Sequence, residues 1–140
     1  HRLRRIDESI GRLQFGSIET VLISRDGEDI PSGPYDAVLV DVPCSNTGVL
    51  SRRPEARWRF REDEVTELVQ LQTKLLLTAM DHVRPGGRIV YSTCSIEPEE
   101  TTELIANVVG LVPELTVTEE RLVLPGQPAD GAFQALLMRS

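Results

Sequence analysis

Two cysteines, Cys44 and Cys94, each sit in a short polar run that directly follows an apolar stretch. The first run is Asp41-Val42-Pro43-Cys44-Ser45 and the second is Ser92-Thr93-Cys94-Ser95. A thiol can serve as a nucleophile once its proton is removed. It can also be a small buried apolar side chain. Two cysteines in 140 residues are too few for the disulfide framework of a secreted chain. Both are therefore read as reduced, and the compartment as cytoplasmic. The two histidines, His1 and His82, do not complete a metal set with them.

A second concentration of chemistry lies just downstream. Residues 52–61 hold Arg52, Arg53, Arg57, Arg59 and Arg61 against Glu55 alone, a local charge of +4 in a chain of net charge −7. Overall acidity excludes a wholly basic nucleic-acid binder, but leaves room for one anion-binding face. Trp58 and Phe60, interleaved with the arginines, offer flat faces on which an unpaired base could stack. The alternative is a solvated loop with Trp58 tucked into the core.

These groups need elements to position them. Residues 1–14 place Leu3, Ile6, Ile10 and Leu13 on one face of a helix. Residues 19–24, with Val21, Leu22 and Ile23, read as a short buried strand. Residues 26–34 are rich in Asp, Gly and Pro and read as a loop. Residues 35–42 carry the apolar run Ala37-Val38-Leu39-Val40, which fits a strand buried on both faces, as in parallel sheets. Residues 43–60 form a long irregular segment, and such segments in compact domains are usually functional. A helix is expected over 62–84, closed by Pro85-Gly86-Gly87, then a strand over 88–93. A helix follows from Pro98 to about Val109. Weak strands at 115–117 and 122–124, a turn at Asp130-Gly131 and a last strand at 133–138 complete the chain. The pattern predicts an α/β domain, Rossmann-like, with a mostly parallel sheet and an antiparallel C-terminal strand. Ligands in such sheets bind beyond the carboxyl ends of the strands. If the two cysteine-bearing strands are neighbours, both thiols face one crevice. No apolar run approaches a membrane span. The missing starting Met suggests that the chain begins inside a longer protein.

Taken together, the motifs resemble the Sun-type (NSUN-type) family of RNA cytosine-C5 methyltransferases. The matching stretches are Asp-Val-Pro-Cys-Ser-Asn-Thr-Gly at 41–48, Arg-Arg-Pro-Glu-Ala-Arg-Trp-Arg at 52–59 and Leu-Val-Gln-Leu-Gln at 68–72. Further matches are Pro-Gly-Gly at 85–87, Tyr-Ser-Thr-Cys-Ser at 91–95, Pro-Glu-Glu at 98–100 and Asp-Gly-Ala-Phe at 130–133. Asn46 stands where the family usually has Gly, and Ala132 where it has Phe. Asn tolerates a left-handed backbone, so the turn at Asn46 is expected to survive.

The resemblance implies a class I methyltransferase domain over residues 1–140, incomplete because the glycine-rich cofactor loop and its strands lie upstream in the family pattern. It implies S-adenosylmethionine as cofactor and single-stranded RNA or a flipped cytosine, in rRNA or tRNA, as partner, because carbon-6 is inaccessible in a stacked duplex. It makes Cys94 the nucleophile, Cys44 the residue that assists product release, and Asp41 a carboxylate near both base and methyl donor. Spacing alone does not say which cysteine attacks. Asp26 corresponds to an acidic residue near the cofactor's adenine, or is only an Asp-Gly turn. Arg52, Arg53, Arg57, Arg59 and Trp58 would hold RNA. The isolated chain would be inactive, and the open edge of the 38–40 strand would invite a dimer. A competing reading is a non-catalytic RNA-binding or assembly module that kept the fold. A third is a methyltransferase for protein or small molecules, which would not need the second cysteine.

Overall fold

The computed structural model describes residues 2–23, 30–59, 61–126 and 129–140, without the side chains of Arg2, Arg59 and Glu62. The chain divides into two compact units, His1–Ser32 and Gly33–Ser140.

The first unit is built on helix α1, Arg2–Leu13. An Arg4–Glu8 pair one turn apart supports its exposed face. Gln14 leaves the helix in a left-handed conformation, with φ 56°. The following segment returns to the helix, where the Thr20 hydroxyl donates to Asp7 Oδ1 at 2.6 Å. The buried strand expected over 19–24 is not there: residues 19–23 form no strand, and Leu22 is 76% exposed. The physical reason is pairing. A three-residue apolar run gains nothing from an extended backbone unless a neighbour takes its amide and carbonyl groups. None of the described strands does so.

The second unit is a four-stranded sheet with two helices packed against its apolar face. Strands β1 (Tyr35–Asp41), β2 (Val83–Thr93), β3 (Leu115–Val123) and β4 (Ala132–Arg139) lie in the order β1-β2-β4-β3. β1 pairs with β2 in parallel, whereas β4 is antiparallel to both β2 and β3. The sheet is thus mixed rather than mostly parallel, and the antiparallel last strand stands as expected. Helix α2 (Ala56–Arg59) is a single turn, α3 (Glu62–His82) is the long helix, and α4 (Thr102–Leu111) follows a 3-10 turn at Pro98–Glu100. The two weak strands at 115–117 and 122–124 are one strand, irregular between Val117 and Glu119.

Period decides what is buried. Val65, Gln72, Leu76 and Ala79 recur on one side of α3, and all are buried. Leu76 and Ala79 share the core with Ile89 and Tyr91 of β2 and Phe133, Ala135 and Leu137 of β4, alternate residues on one sheet face. Leu104, Ile105 and Val108 of α4 complete the core. Each fully buried aliphatic side chain contributes about 1.5–3 kcal/mol. At the C-terminal end of α3, Arg139 Nη1 donates to the carbonyls of Met80 and Val83, at 2.8 and 2.5 Å. β1 departs from expectation: Val38 and Val40 pack on the core, but Leu39 is 67% exposed. It is an edge strand with one described layer of helices behind it, so only one of its faces is buried.

Candidate active site

The parallel register of β1 and β2 creates the site. Asp41 stands opposite Ser92, and the Val42 amide donates to the Ser92 carbonyl at 3.0 Å. The two chains therefore leave the sheet side by side. Within three residues both reach their cysteine. Cys44 Sγ and Cys94 Sγ lie 3.0 Å apart, both half-buried and both free thiols. The shared crevice inferred from the motifs is present.

A third loop locks the pair. The Gly48 amide donates to the Cys94 carbonyl at 2.9 Å, and the Gly131 amide donates to the Gly48 carbonyl at 2.7 Å. A Cβ at position 48 would stand 2.6 Å from the Cys94 carbonyl oxygen, so only glycine admits this approach. Asn46 adopts the left-handed conformation expected of it, with φ 63°. Its carboxamide nitrogen donates to the Cys44 carbonyl at 2.7 Å, and its oxygen accepts the Cys94 thiol at 3.3 Å.

The thiols titrate as a unit. The hydrogen bond from Cys94 is the main cause that lowers Cys44, to about 6, with burial opposing it and Thr93 and the Asn46 backbone assisting. The same bond, with burial and the neighbouring charge, pushes Cys94 far up. The physical content is one shared proton: the first leaves easily because the resulting thiolate keeps a thiol donor, and the second would leave two anions in contact.

Beneath the thiols lies a polar cluster whose members all fall in the matched motifs but which no sequence reading brings together. Glu100 is fully buried. Its Oε1 accepts the Ser45 amide at 3.0 Å and Gln72 Nε2 at 2.8 Å. Its Oε2 accepts the hydroxyls of Ser95, at 2.6 Å, and of Ser45. Tyr91 donates its hydroxyl to the Glu100 carbonyl at 2.8 Å, and Gln72 also reaches the Pro43 carbonyl at 2.8 Å. Burial, with the Glu100 charge second, holds the Tyr91 proton in place. The available signal was Gln72, a polar residue on the apolar stripe of a predicted helix. Glu100 enters the sequence reading only as the last residue of the Pro-Glu-Glu match at 98–100.

A cavity of about 170 Å³ opens above Cys44, lined also by Ser45, Asn46, Arg53, Glu55, Ala56, Arg61, Glu64, Val65 and Leu68. It is smaller than the roughly 300–1,000 Å³ of whole-ligand pockets, so it suits one flat group rather than a complete nucleotide cofactor. Arg53 points into it and lies 3.4 Å from Asn46 Oδ1. The other arginines divide. Arg52 pairs with Asp130 at 2.9 Å and Arg61 with Asp63 at 2.9 Å, while Arg57 is exposed. Trp58 is 86% exposed, which removes the alternative that it is a core residue. Asp41 is exposed at the carboxyl end of β1 and makes no hydrogen bond or ion pair to another described residue. Asp26 and Phe60 lie outside the described residues.

An α/β fold with a mixed sheet and this strand order is that of Rossmann-like methyltransferases. A crystal structure of PH0851 superposes with a TM-score of 0.89 at 31% identity, covering 99% of this chain and 34% of that one. NSun6 from Pyrococcus horikoshii with SFG superposes at 0.81 and 25% identity, covering 99% of this chain and 38% of that one. The sequence model of the family described as 16S rRNA methyltransferase RsmB/F matches residues 1–137, and the chain belongs to that family. Ribosomal RNA small subunit methyltransferase B of Vibrio vulnificus is 34% identical over 99% of this chain. Its counterpart in Yersinia pseudotuberculosis is 35% identical over 99%. In both cases the chain spans only 34% of the relative's length.

Proposed function

We propose that this chain carries the thiol chemistry of an S-adenosylmethionine-dependent methyltransferase acting on carbon-5 of cytosine in ribosomal RNA. The observation that carries the proposal is the pair of free thiols 3.0 Å apart at the carboxyl ends of neighbouring parallel strands. One thiol is enough for a covalent adduct, and a second in contact with it has work only if a proton must be moved.

Carbon-5 of cytosine is a poor nucleophile until a thiolate adds to carbon-6. As Cys94 Sγ forms that bond, its proton passes to Cys44 Sγ, which is poised as the thiolate. Carbon-5 gains enamine character. S-adenosylmethionine, when bound, supplies an electrophilic methyl group. A base then takes the carbon-5 proton, the carbon-6 to sulfur bond breaks, and Cys94 leaves as a thiolate that takes back the proton held by Cys44, which is how Cys44 assists release. Arg53 at the cavity favours an electron-rich ring and its phosphates. Arg57 and Trp58, both exposed, are free to meet an unpaired strand.

The cofactor fits these residues at one end only. The exposed carboxylate of Asp41, without a described partner, is an available acceptor at the carboxyl end of β1, three residues before Cys44. SFG, an S-adenosylmethionine analogue, in the NSun6 relative supports the same cofactor class. The outer edge of β1 takes no described strand, which supports association with a second copy when the chain stands alone.

In a protein of the relatives' length containing these residues, Cys94→Ala is expected to abolish covalent RNA adducts on denaturing gels. Cys44→Ala is expected to accumulate them. Trapping by Cys94→Ala instead would reverse the roles, and RNA binding with no adduct from any variant would favour the binding-module reading.

A further inference from the structure

We infer that Glu100 is the positioning residue that sets the two thiols against each other, acting through the serines that follow them. The inference rests on the thiol pair being the reactive centre. Ser45 and Ser95 are each the residue after a cysteine, they come from different loops, and both hydroxyls donate to Glu100 Oε2. The Ser45 amide and Gln72 fill Oε1. A single carboxylate thus fastens both Cys-Ser peptides to one point and to α3.

The energetics argue against a purely architectural purpose. Among the described residues Glu100 meets only neutral donors, and burying a carboxyl group carries a desolvation cost that such hydrogen bonds recover only in part. Apolar side chains of the same volume would hold α3 and the 3-10 turn together at lower cost. The loops have other anchors in any case, from Val42 to Ser92 and from Gly48 to Cys94. Those anchors fix the backbone, two and four residues from Cys44. Glu100 fixes the adjoining residue, and so the direction in which each thiol points. With the carboxylate removed, the loops stay but the sulfurs lose their fixed separation.

The test is a thiolate titration by ultraviolet absorbance on the 140-residue chain, which needs neither RNA nor cofactor. The charged groups that face the thiols are Arg53, Glu55, Arg61 and Glu64 around the cavity, with Glu100 and Tyr91 below. All are unchanged in the variants apart from Glu100 itself. The wild-type chain should form one thiolate with a midpoint near 6 and resist the second. Removing the Glu100 charge would by itself lower the first midpoint. A rise of roughly one unit or more in Glu100→Ala, towards an ordinary thiol at ~8.5, therefore reads the lost thiol contact, and a fall would overturn the inference. Glu100→Gln, which keeps one acceptor oxygen and the volume, should restore part of the shift. A lower melting temperature with unchanged midpoints in Glu100→Ala would overturn the inference and leave Glu100 structural. If Glu100→Ala does not fold, Ser45→Ala and Ser95→Ala decide: each should raise the midpoint, and wild-type midpoints in both would overturn it. A coupled titration with no RNA adduct in the longer protein would count against the proposed reaction while leaving this inference standing.

Discussion

A single hydrogen at Gly48 determines how closely three loops approach. The glycine carbonyl and amide bridge Gly131 and Cys94, and a methyl group there would meet carbonyl oxygens of both. Backbone atoms cannot move aside as a flexible side chain can. Gly48→Ala is therefore expected to destabilise the fold by about 1–3 kcal/mol, read as a fall in thermal midpoint. An unchanged midpoint would mean that the loops are not held this tightly. Much of the residue scale was legible in the sequence. Cys44, Cys94, Asn46 and Gly48 fall in motifs whose residue types carry their own chemistry. Glu100, Gln72 and Tyr91 were not legible as a cluster, because a carboxylate, an amide and a phenol become a network only when three separate segments fold together. Nor could the sequence say that Arg52 spends its charge on Asp130, a partner far along the chain.

Helix α3 carries both packing and polarity on one stripe, and the two should respond differently to substitution. Leu76 is fully buried in the core, and Leu76→Ala is expected to cost about 2–5 kcal/mol. Its thiol titration should match that of the wild type, since Leu76 is apolar and makes none of the hydrogen bonds of the site. Gln72 is equally buried but serves the Pro43 carbonyl and Glu100. Gln72→Leu leaves two acceptors without that donor, at about 1–3 kcal/mol each where burial keeps water out. It should also disturb the thiol midpoints. Denaturant unfolding and titration on the two variants separate the effects; a Gln72→Leu chain titrating like wild type would show that α3 is only a prop. The elements themselves were readable where period and length agreed, as in α1, α3 and β4. They were misread where pairing decided. The 19–24 run had strand composition and no partner, and β3 hid its continuity because Glu119, Glu120 and Arg121 interrupt its apolar pattern.

At the scale of the whole molecule, net charge opposes self-association, whereas the sheet favours it. β1 gives one edge to β2 and, among the described residues, gives the other to no strand. Natural edge strands are blunted by charge, proline or a bulge. Here Pro34 and the irregularity between Tyr35 and Ala37 protect only the N-terminal end. Asp36 and Asp41 lie within the strand on either side of its centre, residues 37–40, which is apolar with Leu39 largely exposed. Amides and carbonyls that no described strand takes, beside an apolar strip, form a template for another strand. The simplest donor is a second copy of the same strand related by a twofold axis, which would pair the two edges antiparallel and close the sheet. The net charge of −7 on each copy weakens such a dimer at low salt and less so as salt screens it. Sedimentation velocity of the 140-residue chain is therefore expected to show a dimer that grows with protein concentration and with ionic strength. Leu39→Lys places a charge at the centre of each paired edge and should return the chain to monomer without altering the thiol titration, because Leu39 points away from the core that supports the cysteines. A monomer at every concentration, or a Leu39→Lys dimer as strong as that of the wild type, would remove the edge of β1 as the contact.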